Sequence, residues 1–213
     1  MTPKPLIVAA TLDEIVPTLN YFKLPHGRFT EGTNFDVLIT GVGITATAFA
    51  LGKFLNTDHS YVLNVGIAGS FKKDLELGSL ANVTSDVLSE LGAESGDEFI
   101  SIDELGFGQS SFKSNFISEN ELLDTLPKVN GITVNMVHGN ENRIKKTLER
   151  FDVTTESMEG AAVFYSCQQT ATPAIQIRSI SNYVELRNRD AWEIGLAIKN
   201  LNNWLIEYLK NVK

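Results

Sequence analysis

Two glutamates, one asparagine and two short glycine-bearing runs carry the residue types through which this 213-residue chain could do chemistry. Glu14 follows the apolar run Leu6–Ala10, and Glu159 lies in Glu156-Ser157-Met158-Glu159-Gly160-Ala161-Ala162. A carboxylate beyond a buried strand can position and deprotonate a water molecule, and burial there would bring its pKa toward neutrality. A carboxylate set between a methionine and two alanines has little room for a solvated surface. It suits a ligand offering hydroxyl donors or developing positive charge. Asn182 offers an amide donor and a carbonyl acceptor side by side. Each residue also has a plainer reading. Glu14 stands three residues after Thr11, as in a capping box. Glu159 could face the positive end of a helix, Met158 could pack in the core, and Asn182 could close a strand. Asp13, the neighbour of Glu14, is placed on the solvent side.

The glycine runs are Gly41-Val42-Gly43 and Gly66-Ile67-Ala68-Gly69. Either could cradle a phosphate. The dinucleotide fingerprint is incomplete after Gly41, because Ala46 takes the sixth position, and no ribose-reading acid follows at the right distance. No GxxxxGK[ST] occurs. The plain reading is a pair of tight turns that allow close backbone approach.

These residues need a frame to hold them. Leu6–Ala10, Phe35–Thr40, Tyr61–Val65, Ala81–Leu88, Ile132–His138 and Ala174–Ser179 read as strands, the second and third closed by the two glycine runs. Leu12–Asn20, Ile44–Leu55, Asn142–Arg150 and Ser157–Gln169 read as helices, the first with Thr11 as N-cap. A C-terminal helix carries Ile194, Ile198, Leu201, Leu205 and Tyr208 on one face, with Asp190 as a candidate cap for the loop before it. Phe99–Asn120 is the least regular stretch and reads as a loop or lid. Strands alternating with helices predict an α/β fold, a largely parallel sheet covered on both faces. Ligands of such sheets bind beyond the carboxyl ends of the strands. Glu14, both glycine runs and Asn182 all follow strands.

Composition excludes other classes. Eighteen Lys+Arg against 26 Asp+Glu give a net charge of −8, the wrong sign for a nucleic-acid surface. No apolar run is long enough to span a membrane, and the N-terminal apolar run is too short for a signal peptide. A single cysteine, Cys167, cannot pair within the chain and reads as buried packing; the expected location is the cytoplasm. His26, His59 and His138 lack metal-ligand spacing, so neither metal nor cofactor is expected. No linker divides the chain, which predicts a single domain over 1–213.

From Leu6 to the last helix the chain resembles the nucleoside phosphorylase/nucleosidase superfamily. The likeness begins at Val62-Leu63-Asn64-Val65-Gly66-Ile67-Ala68-Gly69 and becomes specific at Ser157-Met158-Glu159-Gly160, similar to that superfamily's ribose-binding signature. Ile177-Arg178-Ser179-Ile180-Ser181-Asn182 is similar to its purine-contacting strand end. MEGAAVFY and RSISNYVELRNRDAW look most like the futalosine hydrolases of menaquinone biosynthesis, which release hypoxanthine from futalosine. The methylthioadenosine/S-adenosylhomocysteine nucleosidases are the nearest relatives. The resemblance implies a three-layer α/β/α domain around a mixed, largely parallel twisted sheet. It implies a homodimer whose second subunit completes the pocket with a loop.

It also implies roles. Glu14 activates water, Glu159 accepts from the ribose hydroxyls, and Met158 packs on the ribose face. Ile67, Ala68 and Gly69 line the pocket, and Asn182 reads the departing base. Where adenine-specific relatives carry Ser-Asp, this chain has Ser181-Asn182. An amide can donate to a 6-oxo group and accept from a protonated N7, which favours hypoxanthine or guanine over adenine. Phosphorylases of the superfamily place Arg-x-Gly-[Ser/Thr] where this chain has Asn64-Val65-Gly66-Ile67, so both cation and hydroxyl for phosphate are absent from that position. The expected reaction is hydrolysis of a purine nucleoside. A methylthioadenosine/S-adenosylhomocysteine nucleosidase, a phosphorylase and a non-catalytic nucleoside binder are the competing readings. Phe99, Phe107, Phe112 and Phe116 are candidates for lining the 5′ side. Arg187 and Arg189 are candidates for orienting the loop of Asn182 or meeting a carboxylate.

Overall fold

In a computed structural model, described for residues 3–118 and 120–212, the chain alternates strands and helices as the apolar patterning requires. Strand β1 is Lys4–Ala9, helix α1 Val16–Tyr21, β2 Phe29–Glu31, β3 Asp36–Ile39 and α2 Ile44–Phe54. The long strand β4, His59–Ser70, is followed by β5 (Leu80–Leu88) and the hairpin β6 (Gly92–Ser95) and β7 (Glu98–Ser101). Then come β8 (Ser111–Lys113), α3 (Glu121–Asp124), β9 (Lys128–Thr133), α4 (Glu141–Arg150), β10 (Thr155–Ser157), α5 (Gly160–Gln169), β11 (Ala174–Tyr183) and α6 (Ile194–Lys210).

The strands form one mixed sheet in the order β10-β9-β5-β11-β4-β1-β3-β2, with β8 added on β5. Around β4 the neighbours β1 and β11 run parallel, as alternating strands and helices predict. The far side reverses direction: β11 meets β5 antiparallel. The sheet then curls back, because β10 pairs with β9 and also antiparallel with β4, through Thr155–Ser70 and Glu156–Gly69. Successive residues of the central strands point to opposite faces. Ile7, Leu63, Val65, Ile175 and Ile177 pack under α1 and α6 with Leu19, Leu201 and Leu205. Leu6, Val8, Val62 and Ala174 pack on the other face under α2 and α5 with Leu51, Ala161 and Phe164. No helix among the described residues is long and apolar enough to cross a membrane.

Several boundaries differ from the sequence expectation for identifiable reasons. Gly66–Gly69 does not close β4 but continues it, since β11 offers partners as far as Ser70. The first helix starts at Val16 rather than Leu12, and Ile15 rather than Thr11 is its N-cap. Thr11 and Glu14 instead close the turn before it. The helix expected from Ser157 starts at Gly160, because Thr155–Ser157 is recruited into the sheet. The strand expected over 132–138 lies at Lys128–Thr133, its polar first half paired with β5. The irregular stretch contains most of β7 and all of β8, and Asp190 lies in a short 3-10 turn while Glu193 occupies the N-cap position of α6 without a side-chain cap. Cys167 is fully buried as expected, and burial pushes its thiol up to about 12.

Helix α1 is too short to hold itself in place, having six residues and no side-chain cap. Asn202 of α6 supplies what is missing. Its Oδ1 accepts from the N–H of Thr18 at 3.0 Å and from the Thr18 hydroxyl at 2.6 Å. Its NH2 donates to the carbonyls of Glu14 at 2.9 Å and Ile198 at 2.8 Å. The turn that carries Glu14 is thereby sutured to the last helix. Replacing Asn202 by Leu leaves Thr18 and the Glu14 carbonyl unpaired in the core. It is expected to cost roughly 2–4 kcal/mol in urea unfolding; a loss below about 0.5 kcal/mol would show that the suture is incidental.

Candidate active site

Strand β4 outruns β1: their pairing ends at Val8 and Asn64. Past that point the N–H of Ile67 donates not to a strand but to Glu14 Oε1, at 3.1 Å. Glu14 Oε2 accepts from the Thr11 N–H at 2.9 Å and its hydroxyl at 3.1 Å. One oxygen of Glu14 thus makes the Thr11 contact of a capping box, ahead of the helix, and the other reaches β4. Three donors hold the carboxylate, and it is buried while Asp13 is exposed.

Glu159 occupies the N-cap position of α5 but does not cap its own helix. Its Oε1 accepts from the N–H of Gly43 at 3.1 Å. Gly41 and Gly43 have φ of +90° and +96°, a left-handed turn that suits glycine and turns that N–H inward. The first glycine run therefore holds a protein carboxylate. Glu159 Oε2 lies 3.7 Å from Nη1 of Arg178, a residue of β11 that is 1% exposed. Burial raises the Glu159 pKa; the Arg178 charge and the Gly43 N–H oppose the rise, and the nearby Glu14 charge adds to it.

Gly66 is where these groups meet. A Cβ there would run into the Arg178 guanidinium and come within 2.8 Å of Glu14 Oε1. Three residues on, a Cβ on Gly69 would stand 3.1 Å from Asn182 Nδ2. Asn182 is paired in register with Gly69, half-buried, its Oδ1 accepting from the Ser181 hydroxyl at 2.8 Å. Ala68 contributes its carbonyl to the same Ser181 hydroxyl at 3.2 Å. Met158, beside Glu159, is half-buried, as is Ile67. Glu14, from the turn before α1, and Asn182, from β11, thus lie along the Gly66–Gly69 part of β4, and Glu159 reaches the same place through Arg178.

Arg178 was not among the residues singled out by type and spacing. A signal was available: Gln176 and Arg178 alternate with Ile175 and Ile177 in a strand that the fold must bury on both faces. Its presence corrects one expectation. Asn64 does leave position 64 without a cation, but a guanidinium enters the same site from β11. The candidate aromatics, in contrast, disperse. Phe112 packs edge-on against Tyr165, Phe116 against Tyr61, Phe99 lies under Arg150, and Phe107 is exposed. Arg187 stacks over Trp192 and its Cβ packs by Gly139, tying the loop after Asn182 to the one after β9. Arg189 lies exposed in the 3-10 turn.

Two buried carboxylates and one guanidinium thus stand around a glycine-bearing strand of an α/β sheet. The sequence profile of the phosphorylase superfamily matches residues 22–210, and the chain belongs to that superfamily. Among curated relatives, a futalosine hydrolase of Streptomyces coelicolor is 28% identical over 88% of this chain and 80% of its own length. A futalosine hydrolase of Acidothermus cellulolyticus is 30% identical over 92% and 85%. A 5'-methylthioadenosine/S-adenosylhomocysteine nucleosidase of Colwellia psychrerythraea is 25% identical over 95% and 89%. The fold is also that of the futalosine hydrolase of Helicobacter pylori, with a TM-score of 0.83 at 21% identity over 99% of this chain and 98% of that one. Relatives of both kinds are named for cleaving nucleosides or for hydrolysis.

The raised pKa of Glu159 gives a signed expectation. A carboxyl whose folded pKa exceeds its unfolded one holds more protons when folded, between the two values. Its contribution to stability is present at low pH and lost as pH rises through the folded pKa. Thermal melts of wild type and Glu159→Gln are therefore expected to move in favour of wild type on going from neutral pH to pH about 5. A difference that stays constant or moves the other way would mean that Glu159 is not held at a cost.

Proposed function

We propose that the protein hydrolyses the N-ribosyl bond of a 5′-modified 6-oxopurine nucleoside, with futalosine as substrate and hypoxanthine as the released base. The observation that carries this reading is the gathering of Glu14, Glu159 and Arg178 at Gly66 with Asn182 against Gly69 on the same strand. Breaking such a bond builds positive charge on the ribose. Glu159 accepts from the ribose hydroxyls and stabilises that charge, while Arg178 opposes the rise in its pKa. Glu14 takes the proton of the attacking water, its other oxygen anchored by Thr11. Asn182 meets the base edge.

The acceptor is water. Two carboxylates face one guanidinium, and that guanidinium already pairs with Glu159. A phosphate dianion would enter a site of its own sign, with desolvation poorly compensated. Kinship to futalosine hydrolases supports the 5′-extended substrate, and with it a place in menaquinone biosynthesis in the cytoplasm. The 5′ side is completed by a second copy in a homodimer. Val42, in the Gly43 turn that holds Glu159, and Phe49, on the α2 helix that follows it, are 53% and 66% exposed, apolar groups suited to that contact.

Free base released from futalosine, inosine and methylthioadenosine, with and without phosphate, tests this directly. Hypoxanthine from futalosine, indifferent to phosphate, is the expected result, and Glu14→Gln should lower kcat by roughly a hundredfold or more. Adenine from methylthioadenosine in preference would favour the 6-amino reading; dependence on phosphate would make the enzyme a phosphorylase. Asn182→Asp should shift the preference toward 6-amino substrates, and an unchanged ratio would place base choice elsewhere.

A further inference from the structure

Behind Arg178, on the side away from Glu159, runs a buried chain of hydrogen bonds whose polarity is forced from both ends. The Nε–H of Arg178 can only donate, and it gives to Gln176 Oε1 at 3.0 Å. The Gln176 amide must then turn its NH2 the other way, to Asp86 Oδ2 at 2.9 Å. At the opposite end the N–H of Ala161, in the first turn of α5, donates to Thr133 Oγ1 at 2.8 Å. That leaves the Thr133 hydroxyl proton for Asp86 Oδ1, also at 2.8 Å. Asp86 thus receives a donor on each oxygen, an arrangement suited to a carboxylate.

Asp86 and Gln176 are 1% and 0% exposed, so neither is solvated in place of these bonds. Burial raises the Asp86 pKa to about 6, and Gln176, Thr133 and Arg178 oppose the rise. The chain grips the guanidinium only at Nε. Nη1 faces Glu159, and Nη2 has no partner among the described residues. A second observation points to the same contact. A Cβ on Gly160 would collide with both Gln176 Oε1 and Asp86 Oδ2. The glycine that follows Met158-Glu159 is there because the Asp86–Gln176 pair fills the space beneath it.

We propose that Asp86 and Gln176 are positioning residues of this active site: Asp86 fixes which way the Gln176 amide faces, and the amide aims the Arg178 guanidinium at Glu159. The proposal rests on the reading of Arg178 and Glu159 as hydrolase machinery. Without Asp86, nothing decides which end of the amide faces Arg178, and one of its two orientations sets an NH2 against Nε–H. Without Gln176, the Nε–H is an unpaired buried donor, and the guanidinium can swing to find water.

The test is a mutant cycle read in two ways. Gln176→Leu and Asp86→Leu should each lower kcat for nucleoside hydrolysis by roughly tenfold to a hundredfold, with KM changing far less. Because one residue acts through the other, the double variant should be no slower than the slower single within about threefold. Gln176→Glu keeps an acceptor for Nε and can share one proton with Asp86, so it should recover most of the lost rate. The second reading is the Nε–H resonance of Arg178 in protein labelled with nitrogen-15 arginine, identified by its loss in Arg178→Lys. It should be protected from solvent exchange in wild type and Gln176→Glu, and exposed in Gln176→Leu. If Gln176→Leu fails to fold, Asp86→Leu carries the same expectation for both readings. A folded Gln176→Leu with wild-type kcat, additive losses in the double variant, or an unchanged Arg178 resonance would each overturn the relay. If the wild type hydrolyses no nucleoside, the functional reading falls on that result alone, and the resonance still decides whether Asp86 and Gln176 hold Arg178.

Discussion

Two carboxylates buried beside a single guanidinium set the terms for the rest of this molecule. Removing one charge from water costs several kcal/mol even after relaxation, and here the formal balance of the cluster is negative. The structure compensates with fixed donors rather than with a second cation. Glu14 is held by the N–H groups of Ile67 and Thr11 and by the Thr11 hydroxyl, Glu159 by the N–H of Gly43. Each of those backbone donors is free because the chain has left regular pairing where it sits. β1 has ended beside Ile67, and the Gly41–Gly43 turn precedes α2.

The supports are long-range in sequence although short in space. Asn202 reaches across to the turn of Glu14, Gly43 to Glu159, and Asp86 to Gln176, so strands and helices from both ends of the chain converge on β4. Such supports suit a site that must not relax. A carboxylate free to turn toward solvent would lose the raised pKa and the orientation together. The glycines of β4 belong to the same logic. Gly66 makes room for Arg178, and Gly69 lets Asn182 lie close.

The layered fold was legible in the sequence because it rests on local patterns, and Glu14, Glu159 and Asn182, picked out by the family resemblance, lie close together around β4. Alternating apolar runs gave the central strands, and Met158-Glu159-Gly160 and Ser181-Asn182 are contiguous. What escaped was decided by tertiary pairing. β10 is three residues long and exists only because β9 and β4 flank it. β2 and the β6–β7 hairpin are short and largely polar, without an apolar alternation to mark them. Gly66–Gly69 read as a turn because glycine is a poor strand former, yet in a strand interior it also marks close approach by another group. Arg178 stood in plain view within AIQIRS. Recognising it required asking what a buried strand does with a guanidinium, and the answer is a carboxylate on a different element.

The charge balance that favours a cationic sugar has a converse for the other half of the cleaved bond. A potential that stabilises positive charge on the ribose opposes the departure of a purine anion from the same place. In the proposed reaction the base must therefore gain a proton as the bond breaks. Asn182 has no proton to give up, since an amide donates a hydrogen bond without ionising. In that reading its carbonyl, which already accepts from the Ser181 hydroxyl, also receives the N7–H once formed, and its NH2, which already donates to the Tyr183 carbonyl at 3.1 Å, uses its second proton on the 6-oxo group. The proton, in that reading, comes from a group other than residue 182, and the amide selects for a base able to present both an acceptor and, after protonation, a donor on one edge. On the proposed function, selection of the base and neutralisation of the leaving group then fall to different groups, where an acidic residue at position 182 would combine them.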